Sequence, residues 1–182
     1  YSVPAVCRTG FVDELNTQID NIIDKKIEIV EIYSEIDWNT YIRTKKDIYF
    51  IKNYEYSDND TEYFVIHSFS LLNLLSTAVF SVTSIEKAIT EGTVGCLSPL
   101  EQLDKLEEIA KSFSGILGEK MKSVTTVLQI MHSNILYKNL KYEFIKNRLT
   151  NKAIGEYIAF VVPKAFYKTL LSAQLESDGF SG

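Results

Sequence analysis

His67 and His132 are the two histidines of the chain, and Cys7 and Cys96 its two cysteines. A catalytic or metal centre would draw on these or on carboxylates. A zinc protease carries two histidines four residues apart on one helix face, and no HExxH occurs. CxxC, a glycine-rich phosphate loop and a GxSxG elbow are also missing from the sequence. Glu28, Glu31 and Glu35 stand at helical spacing and could form a row of carboxylates. A di-iron bundle adds Glu-x-x-His on two further helices. Residues 64 and 129, three before each histidine, are Phe64 and Gln129. The expectation is therefore no enzyme, no metal and no cofactor. A histidine on a packed helix is more often a hydrogen-bonded core or boundary residue than a ligand.

Basic residues gather late in the chain. Lys120, Lys122, Lys138, Lys141, Lys146, Arg148 and Lys152 face one acid, Glu143, whereas Asp13 to Asp37 is strongly acidic. Tyr137 and Tyr142 interleave with these lysines, as stacking platforms for single strands do. The net charge of −5 gives no overall drive towards nucleic acid. The expected arrangement is tyrosines packed inward, lysine stems running outward, and two oppositely charged helix faces that attract.

The elements that must position any site are helical. Gly (8) and Pro (3) are scarce, which disfavours a turn-rich β fold. A chain of 182 residues can bury a full core. Tyr63 to Ile85 contains no charged residue, and Phe64, Leu71, Leu75, Ala78, Val82, Ile85 and Ile89 draw one apolar seam. About 20 apolar residues would cross a bilayer. His67, Ser68, Ser70, Asn73, Ser76, Thr77, Ser81 and Thr83 interrupt this run, no Lys/Arg cluster flanks it, and a buried core helix is expected instead.

The spacing predicts one domain, 1–182, with an N-terminal arm (1–9), and five to seven helices in an all-α bundle. A central apolar helix over about 60–91 would start at an Asn59 or Asp60 cap and stop at Gly92. Helix 11–35 would precede it. So would a helix from Trp38 to Tyr54, although Ile48–Ile51 and Tyr63–Ile66 could also pair as a hairpin. Ser98-Pro99-Leu100-Glu101 reads as a capping box with proline at the first helical position. Gly115 and Gly118 predict a break, followed by a helix from Glu119 that runs on or bends near Asn139. Further segments follow around Ile154–Val162 and Ala165–Leu171, then a frayed tail, 176–182.

The start at Tyr1 resembles a chain after signal-peptide removal. Asn59-Asp60-Thr61 is a glycosylation sequon, and a Cys7–Cys96 disulfide would staple the arm to a loop. These predict a secreted, extracellular protein. The leading expectation is a non-enzymatic binding protein that carries a small hydrophobic ligand, a fatty acid or other lipid-like molecule. Phe64, His67, Leu71, Asn73, Leu75 and Phe80 would line its pocket. The alternative is a protein-interaction module or effector, or a membrane-active protein meeting a membrane surface without spanning it. Nucleic acid is not an expected partner.

Overall fold

The computed structural model describes residues 36–54, 58–152, 158, 160, 162 and 164–180. All fall within one compact unit, residues 32–182. The expected helix 11–35, its row of Glu28, Glu31 and Glu35, the arm and Cys7 lie outside them.

Among the described residues there are seven helices and no strand. They are α1 (Trp38–Lys52), α2 (Asn59–Thr77), α3 (Val82–Thr90), α4 (Pro99–Ser112), α5 (Gly115–Asn134), α6 (Leu140–Thr150) and α7 (Ala165–Ser177). The hairpin does not form: both of its arms are helical. Asp37 starts α1 by accepting hydrogen bonds from the backbone N–H and hydroxyl of Thr40. These bonds hold its carboxyl below the usual range. Thr44, Asp47, Ile48 and Ile51 then bury one stripe. Asp58, one residue before the expected cap, starts α2 in the same way through Thr61. Helix α2 packs against α1, α4 and α5. Ser98 caps α4 as expected, with Pro99 at the first helical position. Glu86 of α3 accepts from the Ser98 hydroxyl and from Leu100 N–H, each at 2.9 Å, so a carboxylate sits on the positive end of α4.

The expected single helix over 60–91 is two helices. They turn through 116° at Ala78–Ser81, where there is neither proline nor glycine. The causes lie elsewhere in the chain. Asn139 Nδ2 donates to the carbonyls of Ala78 (3.0 Å) and Phe80 (3.1 Å), and Lys141 Nζ to that of Ser76 (2.6 Å). Val82 and Thr83 donate their N–H groups to Ile135 and Leu136. The groups a continuous helix would pair internally are satisfied by the 135–141 segment, and Ser81 caps the restart. Six of the seven seam residues, Phe64, Leu71, Leu75, Ala78, Val82 and Ile85, are still buried, and Ile89 is partly so.

Gly92, with φ +70, ends α3. Thr93 N–H returns to Ala88 and Gly92 N–H to Ile89, the two bonds of a Schellman cap. The break near Gly115 is present, but α5 starts there, four residues before Glu119. Of the two alternatives left open near Asn139, the helix breaks: α5 ends at Asn134 and Asn139 caps α6. The tail from Glu176 is tied down as far as Phe180 instead of fraying. A second Schellman cap at Gly179 closes α7, and Asp178 accepts from Tyr142 and Lys146.

Candidate functional site

Four of the six expected ligand residues, Phe64, Leu71, Leu75 and Phe80, are wholly enclosed in the core. Phe80 meets Tyr167 edge-on at 4.9 Å. Asn73 stands exposed on α2. None of these five lines any of the clefts described among these residues. Among the clefts described, the six share no common one.

His67 is the exception. It lines a cleft of about 130 Å³ with Ile66, Ser70 and Leu74 of α2, Cys96 and Leu97 of the loop before α4, Gln102 of α4, and Lys164 and Phe166 at the start of α7. The helical period places Ile66, His67, Ser70 and Leu74 along one edge of α2. Tyr63, one turn earlier, stacks on the imidazole at 3.9 Å. Gln102 is buried and donates through Nε2 to the carbonyls of Leu97 and Ser98. Its Oε1 is thereby the acceptor, so His67 Nδ1, 3.2 Å away, carries the proton of that bond. In the neutral ring Nε2 then keeps its lone pair.

Lys164 brings a cation, with Nζ 5.8 Å from the centre of the Phe166 ring. Cys96 is a free, half-buried thiol. Burial and the charge of Glu86 push it up, against a smaller opposing effect of Lys164. A thiol held protonated is a poor nucleophile and acts as a small apolar surface. The expected staple to Cys7 has no support here, because Cys7 lies outside the described residues. Ile66 and Leu97 form an exposed apolar rim, at 56% and 57% accessibility. The cleft thus offers apolar walls, one cation and one imidazole, a set suited to holding a group. Gln102 was missed from sequence. The signal was present: a polar residue on the buried Gln102–Leu106–Ile109 stripe.

The other histidine, His132 on α5, is buried, and its Nε2 has no hydrogen-bond partner. Desolvation lowers its pKa, against the opposing charges of Glu86 and Asp104. Among the described residues no group of three or more His, Cys, Asp or Glu is placed to hold a metal ion. There, too, no single helix is long and apolar enough to cross a membrane. Tyr142 packs inward as expected, whereas Tyr137 points outward. No family model, curated protein or solved structure matches the chain.

Proposed function

We propose that this chain is a non-enzymatic binding protein whose partner is another protein, seated on the cleft beside His67. In this reading α2 is the axis of a helical bundle, and the cleft is the part of its flank the bundle leaves open. The observation that carries the proposal is the exposed Ile66–Leu97 rim beside Lys164. Apolar rims with a few placed polar groups are where proteins dock. At about 130 Å³ the space matches one apolar side chain, with a neighbouring carboxylate of the partner facing Lys164. An extracellular setting belongs to this reading. Asn59 is exposed in the first turn of α2, where a glycan would extend into solvent.

A carrier of a fatty acid draws support from the same apolar walls and the same cation. Ligand pockets usually hold about 300–1,000 Å³, so this cleft would take only the head of such a molecule. Peptide display on the immobilised protein tests the first reading. Selected peptides should share an apolar residue beside an acidic one, and lose binding about ten-fold or more to Leu97→Asp and Lys164→Glu. Failure to enrich any peptide, or equal binding to both variants, would sink it. Native mass spectrometry before and after lipid extraction tests the carrier reading, which requires an adduct that extraction removes.

A further inference from the structure

Helix α6 contributes little to the core it borders. Tyr142 is its one buried residue. It is held by Tyr142 Oη donating to Asp178 (2.7 Å), by the Lys146–Asp178 pair and by Lys141 on the Ser76 carbonyl. These contacts fix which way the helix faces. Leu140 and Phe144 then point away from the core at 59% and 41% exposure, and Tyr137, just before the helix, stands 77% exposed. Leu140, Phe144 and Tyr137 thus leave much of their apolar surface in water, and exposed apolar groups gathered at one helix end can mark an interaction site. Leu140, Phe144 and Arg148 follow one another at four-residue spacing along α6, apolar at the start and basic at the end, and Lys152 follows just past the helix.

We propose that this face of α6 docks on an anionic lipid bilayer, in addition to the protein-binding role of the cleft. Leu140 and Phe144 enter the acyl boundary, Tyr137 sits at headgroup depth, and Arg148, Lys152 and Lys138 rest on lipid phosphates. The chemistry selects a bilayer. Aliphatic and aromatic groups projecting from a helix end want hydrocarbon, and cations beside them want a sheet of negative charge. Glu143, also exposed on α6, is the one carboxylate of the helix and opposes that attraction. A nucleic acid would use the cations but would leave Leu140 and Phe144 without hydrocarbon. The chain as a whole carries −5, so the attraction is local to this face.

The test is sedimentation of the full chain with vesicles of phosphatidylcholine, with and without phosphatidylserine. Binding should rise about ten-fold or more with phosphatidylserine and fall at high salt. The Leu140→Ser/Phe144→Ser double variant should lose about ten-fold in binding, its circular dichroism unchanged because both residues are exposed. Phe144→Trp in a Trp38→Phe background should shift its emission to the blue on vesicles and be quenched by brominated lipid. The proposal is overturned by three results: no preference for phosphatidylserine, a double variant that sediments like the parent, or a Trp reporter whose emission does not move. Binding of a single-stranded oligonucleotide as tightly as vesicles would transfer the surface to nucleic acid and overturn it equally.

Discussion

Asn139 is 2% exposed and uses all of its amide. Its Nδ2 serves two carbonyls at the α2–α3 turn, while its Oδ1 accepts from Lys141 N–H to cap α6. Asn139→Ala leaves the Ala78 and Phe80 carbonyls buried without that donor, and also removes the cap. We expect a loss of about 2–4 kcal/mol in urea unfolding, well beyond an ordinary cap loss of about 1 kcal/mol. A loss below that ordinary value would mean that the turn holds itself. His132 gives a pH signature. Burial favours its neutral ring, so its folded pKa lies below the ordinary 6.5 and the unfolded chain binds more protons in that interval. Its contribution is present above pH 6.5 and lost as pH falls through the lowered value. His132→Phe should flatten the fall of urea midpoint on mild acidification; an unchanged slope would assign it to other groups.

At the scale of elements, five helix starts follow local chemistry and two helix ends follow backbone geometry. Asp37, Asp58, Ser81, Ser98 and Asn139 each accept from an N–H of the following turn, and Gly92 and Gly179 close their helices at positive φ. Gly118 differs from these. It lies inside α5 at ordinary φ, but a Cβ there would strike the Phe113 carbonyl across the tight α4–α5 turn. Gly118→Ala should therefore cost about 1–3 kcal/mol by overpacking. At Gly92 open space leaves only the backbone strain, and Gly92→Ala should cost about 1 kcal/mol. Equal thermal shifts for the two variants would contradict the close approach at Gly118.

At the scale of the molecule, the enclosed core and the open cleft make different demands. Leu71 is fully buried, and Leu71→Ala should cost about 2–5 kcal/mol by leaving a cavity. Leu97→Ala, on the rim, should stay within about 0.5 kcal/mol of the parent and weaken only the peptide binding expected at the cleft. A strongly destabilising Leu97→Ala would mean that the rim is structural.

The residues that bury themselves could be named from spacing, because an apolar stripe must leave water whichever neighbour covers it. Phe64, Leu71, Leu75, Ala78, Val82 and Ile85 are buried although the helix that was to carry them is broken. Caps such as Ser98 and Gly92 were legible for a related reason: they act within one turn of their own position. The bend at Ala78 was not, since its cause, Asn139, is 61 residues away and is joined to it only by folding. The cleft was hidden for the same reason. His67 became part of a site only when α2 met Gln102 of α4 and Lys164 and Phe166 at the start of α7, and no local period records which edges of three segments will face one another. The sequence by itself determined what must be hidden and the caps that act within one turn of their own position. The tertiary structure alone decided where the long apolar run turns and which side chains meet at the surface, because those depend on contacts between segments far apart in the chain.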